Sequence, residues 1–225
     1  MSGYILYGGR FTRAMICEMV FAELGIDYEL REVDMTTREH RSESYLAVNP
    51  AALIPSLVTP EGQILYETPA ISLYLAEKHG DGDLAPLPDD PDRGIFLSAL
   101  FFITDELEPV FKRYFYPQRY VADQKDIEQM KQDSLTWAGR LLSIIEQRLE
   151  DGTFSVGNRF TIVDITLAYW MEYFSRLIPM EDLPRVMDVY QRTERREKLT
   201  PCFARLADMR AEFAERENQG GAANW

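Results

Sequence analysis

The residues best placed to do chemistry stand at the borders between expected elements. Glu67-Thr68-Pro69 opens a helix, with Thr68 as the N-cap and Pro69 in the first helical position, where a missing N–H costs nothing. The Thr68 hydroxyl and the free amides of that first turn suit a carboxylate, and Glu67 suits an ammonium, so a ligand carrying both groups side by side could be held there. Upstream, Asn49-Pro50-Ala51-Ala52-Leu53-Ile54-Pro55 ends in Ile-Pro, and a cis peptide is cheap only before proline. Near the start of the chain, Tyr7, Thr12 and Arg13 set two hydroxyls and a cation between the end of a strand and the start of a helix. Each also has a plainer reading. Thr12 and Thr68 can be helix caps, Tyr7 a core aromatic with its hydroxyl at the edge, and Pro55 an ordinary loop proline. Cys17 and Cys202 form no CxxC or Cys/His cluster, so neither a disulfide framework nor a zinc site is expected.

These residues need elements to position them. Tyr4 to Tyr7 reads as a buried strand ended by Gly8-Gly9. Thr12 to Leu24 carries apolar residues at helical spacing and closes at Gly25, and Tyr28 to Val33 alternates as a second strand, giving a βαβ unit with a parallel pair. Ser56–Thr59 and Gln63–Tyr66 flank a Pro-Glu-Gly turn and make a hairpin, and a helix follows from Thr68 toward Gly80. Residues 81 to 91, dense in Gly, Pro and Asp, read as a linker. Beyond them helical patterns dominate, at about 91–116, 122–150, 162–177, 186–193 and 201–217. Thr161 with Asp164 forms a capping-box start, and Phe160 and Ile165 are placed to staple it. The tail 217–225 is expected to fray.

Length and composition bound the class. A chain of 225 residues with 46% hydrophobic content can bury a full core in two modest units. With 37 acidic against 24 basic residues the formal net charge is −13, which argues against nucleic acid and anionic lipid as partners. No apolar run is long enough to cross a bilayer, and the N-terminus lacks a basic start with a long apolar stretch, so a cytoplasmic protein is expected.

The order βαβ, Pro-preceded hairpin, helix and all-helical remainder resembles the cytosolic glutathione transferase family over nearly the whole chain, roughly Tyr4 to Phe213. The specific marks are Asn49-Pro-x-x-x-Ile54-Pro55, Glu67-Thr68 before Pro69-Ala70-Ile71, and Phe160-Thr161-x-x-Asp164-Ile165. The resemblance implies an α/β plus all-α architecture. A thioredoxin-like glutathione-binding domain would span 1–80, a linker 81–91, and an all-helical domain carrying the second-substrate site 92–225. It also implies a homodimer and glutathione as co-substrate, with no metal. The activity implied is transfer to a small apolar electrophile, as in detoxification. Glutathione-dependent isomerase, lyase or dehalogenase chemistry, or a non-enzymatic interaction module on the same fold, remain open alternatives.

By the same resemblance Ile54, before a cis Pro55, pairs through its backbone with the cysteinyl part of glutathione. Glu67 and Thr68 take its γ-glutamyl end, helped by Asp105 or Glu106 from across a dimer interface. His40 meets the glycine carboxylate, with Arg38 or Arg41 as substitutes, because Leu53 stands where relatives often carry Lys or Gln. The thiol must be ionised, since the thiolate is the nucleophile. Lowering its pKa by two units from roughly 8.5 takes about 2.7 kcal/mol, within reach of a hydroxyl donor and helix-terminal amides. Thr12, Tyr7 and Arg13 are the candidates for that task, serine-type relatives placing their hydroxyl near Phe11 instead. Cys17, inside the first helix, is expected to pack rather than react. Phe11, Phe111, Tyr114 and Phe115 are the candidates for the second-substrate pocket among aromatics that mostly build core.

Overall fold

The computed structural model describes residues 3–149 and 152–218, and the fraying expected of the tail concerns residues that fall largely outside them. The chain divides into two compact units, Met1–Gly80 with Arg196–Trp225, and Asp81–Arg195.

In the first unit β1 (Tyr4–Gly8) leads through α1 (Ala14–Leu24) to β2 (Tyr28–Glu32). A short helix α2 (Glu43–Leu46), the hairpin β3 (Ser56–Val58) and β4 (Ile64–Tyr66), and α3 (Thr68–His79) follow. The four strands order β2-β1-β3-β4, with β1 and β2 parallel and the other pairs antiparallel. The expected βαβ unit and hairpin are therefore present. Gly8 is required where α1 folds back, because a Cβ there would stand 2.6 Å from the Ala14 Cβ. Gly9, at φ +152°, passes so close to β2 that a Cβ would meet the Val33 carbonyl oxygen at 2.9 Å.

Alternation along β1 sorts the two faces of the sheet. Tyr4 turns to the helices, its ring 5.5 Å from Phe21 on α1 and its hydroxyl 2.8 Å from His79 Nε2 on α3. On that side Leu6, Met15, Ile16, Met19, Leu57, Ile71 and Leu75 are fully buried. Tyr7 takes the opposite face, where it packs with Val33, Met35, Tyr45 and Ile54.

The last helix, α9 (Thr200–Asn218), belongs to this unit, although the sequence reading assigned 92–225 to the second domain. α9 buries Phe203, Leu206 and Met209, and α1, which is apolar on nearly every side, buries two carboxylates that this end of the chain neutralises. Glu18 accepts from Arg205 Nη1 at 2.8 Å and from the Tyr28 hydroxyl at 3.0 Å. Glu23 accepts from Arg196 Nε and Nη2 at 2.6 and 2.8 Å. A buried carboxylate without a cation is expensive, and the cations come from the end of the chain.

The second unit is helical: α4 (Arg93–Phe102), a π-helical turn at Ile103–Leu107, α5 (Glu108–Phe115), α6 (Ile127–Arg148), α7 (Ile162–Phe174) and α8 (Pro184–Glu194). The single helix expected over 91–116 is thus interrupted by that turn. α7 is almost wholly buried, and its start is the expected capping box, Asp164 accepting from the Thr161 N–H at 2.8 Å while Thr161 Oγ1 accepts from Val163 N–H at 3.2 Å. Burial pushes the Asp164 carboxyl up to about 6, against the opposing pull of the amides that bond it. Phe160 stacks edge-on against Phe154 at 5.5 Å. The 81–91 segment joins this unit, the Leu84 carbonyl accepting from Ile162 N–H at 2.9 Å and Asp90 pairing with Arg159 at 2.7 Å. Among the described residues no helix is long and apolar enough to cross a membrane.

Candidate functional site

Strand register gathers the predicted residues of the first unit at one end of its sheet. Ser56 pairs with Tyr7 on β1 and with Tyr66 on β4, so the residues just beyond the ladder there are Gly8, Pro55 and Glu67. The Ile54-Pro55 bond is cis.

Glu67 adopts φ +65°, ψ 122°, a conformation that L-residues avoid, and its carbonyl accepts the first helical bond of α3 from Ile71 N–H at 3.0 Å. Glu67 is therefore the N-cap, and Thr68, read from the sequence as the cap, is the first helical residue. The shift matters chemically. The Thr68 hydroxyl is not spent on capping: it is buried and, among the described residues, has no hydrogen-bond partner. Pro69 lacks an N–H, so the first-turn donors are Thr68 and Ala70. Glu67 itself is exposed. An exposed carboxylate beside a buried, unengaged hydroxyl and free amides can hold an ammonium and a carboxylate on adjacent atoms.

The candidate hydroxyls differ in how their protons are used. Thr12 precedes α1 in a turn instead of opening it. Its Oγ1 donates to the Gly9 carbonyl at 2.8 Å and accepts from Ala14 N–H at 3.4 Å. Tyr7 Oη accepts from Arg31 Nη1 at 2.9 Å, and Arg31 stands 5.6 Å over the Tyr7 ring while pairing with Glu29 at 2.7 Å. Bonds to Glu29 and then to Tyr7 raise the Arg31 pKa further. A guanidinium only donates, so the Tyr7 proton points elsewhere. Arg13 is the N-cap of α1, and Phe11 before it has φ +61°, with its N–H 3.5 Å from the Met209 sulfur of α9. Arg10 pairs with Glu212 of the same helix. Burial pushes the Cys17 thiol up to about 12, which removes it as a nucleophile.

His40 lies in a single turn at Glu39–Arg41 with its imidazole buried, whereas Arg38 and Arg41 beside it are exposed. Leu53 is 51% exposed. In the second unit Asp105 is exposed on the π-helical turn and accepts from Thr104 Oγ1 at 3.3 Å. Phe111 centres an aromatic cluster with Phe115 (4.2 Å), Trp170 (4.7 Å) and Tyr173 (5.0 Å), and Tyr114 joins through Phe115 at 4.8 Å. Phe111 is thus built into that unit's packing.

Sequence reasoning missed Arg31 and Tyr45. Arg31 could have been found, because a parallel β1–β2 pair aligns it with Tyr7. Tyr45 sits in a polar stretch without periodicity and gave no signal.

A mixed four-stranded sheet with a cis-proline loop and an acidic-hydroxyl helix start, joined to a helical unit, defines a glutathione-transferase-type protein. The chain matches the glutathione S-transferase N-terminal domain over residues 13–78 and its C-terminal domain over 103–197, and it belongs to the glutathione transferase family. It is 25% identical over 181 residues to a glutathione S-transferase domain-containing protein of Dictyostelium discoideum, covering 76% of this chain and 68% of that one. Among solved structures it is similar to a glutathione transferase from Methylococcus capsulatus, with 28% identity, TM-score 0.76, and coverage of 94% of this chain and 99% of that one. A glutathione transferase homolog from Sulfitobacter, crystallised with bound glutathione, shares the fold at 21% identity and TM-score 0.80, over 89% of this chain and 97% of that one.

Proposed function

We propose that the chain binds glutathione and holds it as a thiolate for attack on a small apolar electrophile. The observation that carries this reading is the Thr68 hydroxyl, buried and without a hydrogen-bond partner among the described residues, at the start of α3 beside the strained, exposed Glu67. Both lie at the sheet end where Ile54 precedes the cis proline. In this reading Glu67 takes the γ-glutamyl ammonium, Thr68 and the first-turn amides take its carboxylate, and the Ile54 backbone pairs with the cysteinyl residue. His40, Arg38 or Arg41 meets the glycine carboxylate, and Asp105 of a second copy adds a charge toward the ammonium in a homodimer.

Tyr7 is the better-supported activating hydroxyl. Its proton is left to donate by Arg31, whereas the Thr12 proton is given to Gly9. Within the helical unit, Tyr114 and Phe115, at the edge of the aromatic cluster that Phe111 centres, are assigned to the electrophile.

The test is a titration with glutathione at neutral pH that follows thiolate absorbance in the parent, Tyr7→Phe and Thr12→Ala. We expect binding by all three, with ionisation lost in Tyr7→Phe as the bound thiol returns toward roughly 8.5. Ionisation kept in Tyr7→Phe and lost in Thr12→Ala would reassign the hydroxyl. No binding at millimolar glutathione would leave an interaction module on a transferase fold.

A further inference from the structure

The loop before the cis proline is held by side chains that no part of the proposed chemistry uses. The Leu53 carbonyl accepts two hydrogen bonds, from the Tyr45 hydroxyl at 2.5 Å and from Asn49 Nδ2 at 2.8 Å, which occupy both of its lone pairs. Ser56 Oγ closes the ring, 3.1 Å from Tyr45 Oη and 3.2 Å from Asn49 Nδ2. Tyr45 and Asn49 are each 3% exposed and Ser56 is fully buried. Asn49 is in turn fixed, its Oδ1 accepting from Ala51 N–H at 3.0 Å and its own N–H bonding the Tyr45 carbonyl at 2.8 Å.

The consequence falls on the next residue. Among the described residues the only cis peptide is Ile54-Pro55, so the Leu53-Ile54 peptide is trans and its C=O and N–H point in opposite directions. With the Leu53 carbonyl drawn inward onto Tyr45 and Asn49, the Ile54 N–H is aimed outward. The Ile54 side chain is anchored inward as well, in the cluster with Val33, Tyr45 and Tyr7. The antiparallel ladder ends at Ser56, so the Ile54 amide lies beyond the reach of strand pairing.

We infer that Tyr45 and Asn49 are positioning residues that preset the Ile54 N–H as a backbone donor for an extended peptide ligand, and so set affinity without touching the ligand. The inference rests on the glutathione reading above for the identity of that ligand. Fixing the donor in advance spares the ligand the cost of ordering the loop.

The experiment measures glutathione binding by calorimetry in the parent, Tyr45→Phe and Asn49→Ser, with the thiolate absorbance of the saturated complexes and the Ile54 amide resonance of 15N-labelled protein. Each change removes one bond to the Leu53 carbonyl, so Kd should rise about five- to ten-fold. The bound thiolate fraction should stay parental, and the glutathione-induced shift of the Ile54 amide should shrink. A purely structural role would lower thermal stability and leave Kd and the amide shift of the folded protein unchanged; that result in both variants overturns the inference. A parent that binds no glutathione overturns the functional reading and the inference with it. Parental binding, with weakened variants whose thiolate fraction is intact, supports both.

Discussion

Thr68→Val separates stability from binding by sign. The hydroxyl removed is 2% exposed and has no partner among the described residues, and an unpaired buried hydroxyl costs about 1–3 kcal/mol. Valine keeps the branched shape and has a helix propensity close to that of threonine, so the exchange adds little of its own. The ligand-free protein should therefore gain about 1 kcal/mol, a rise in Tm of roughly 2–4 °C for a chain of this size. With glutathione the balance reverses. A hydrogen bond from this hydroxyl to a carboxylate is worth about 1.5–3 kcal/mol, so affinity should fall roughly 10- to 150-fold. Paired thermal melts and glutathione titrations of the parent and the variant read both quantities. A variant that melts lower than the parent and binds glutathione as tightly would refute the reasoning, because Thr68 would then be an ordinary packing residue.

Arg196→Met leaves the buried Glu23 carboxylate without its fork. A fully buried pair would lose about 3–5 kcal/mol on such a change, and since Arg196 is partly in water about 2 kcal/mol is expected by urea denaturation, most of it recovered by adding Glu23→Gln. Burial raises the Asp164 carboxyl from 3.8 to about 6, so the folded state binds its proton more tightly than the unfolded chain does. Its contribution is complete below about pH 4 and is lost as pH rises through about 6; against Asp164→Asn, the parent should lose stability across that window, and a flat difference would contradict it. Burial also pushes Cys17 to about 12 and Cys202 to about 11, so iodoacetamide at pH 7.5 should label neither in the folded protein and both in denaturant.

The elements were legible where local rules act alone. Gly8-Gly9 ended a strand, Gly25 capped a helix in the left-handed conformation, and Thr161 with Asp164 opened α7 as a capping box. The cis Ile54-Pro55 bond was expected from the family resemblance of the Asn49 to Pro55 loop, since the local rule says only that a cis bond is cheap before proline. What local rules missed was decided over distance. Thr68 looked like a cap because Thr-Pro at a helix start usually is one, but the positive φ of Glu67 moved the cap by one residue and freed the hydroxyl. Helical spacing in 201–217 could not say which unit the helix joins, since its attachment depends on carboxylates nearly two hundred residues earlier. Tyr45 and Arg31 acquire their roles only once β1, β2 and the proline loop are folded together.

The pairing of α1 with the end of the chain bears on the order in which the protein is made. Glu18 and Glu23 leave the ribosome early, while Arg205 and Arg196 follow 187 and 173 residues later. Domains usually settle from the N-terminus during synthesis. Here a nascent chain that has not yet reached residue 196 must either keep α1 undocked or hold two carboxylates in an apolar core without cations. Residues 1–80 made alone would lack the cations that Glu18 and Glu23 pair with and the last helix of their own unit.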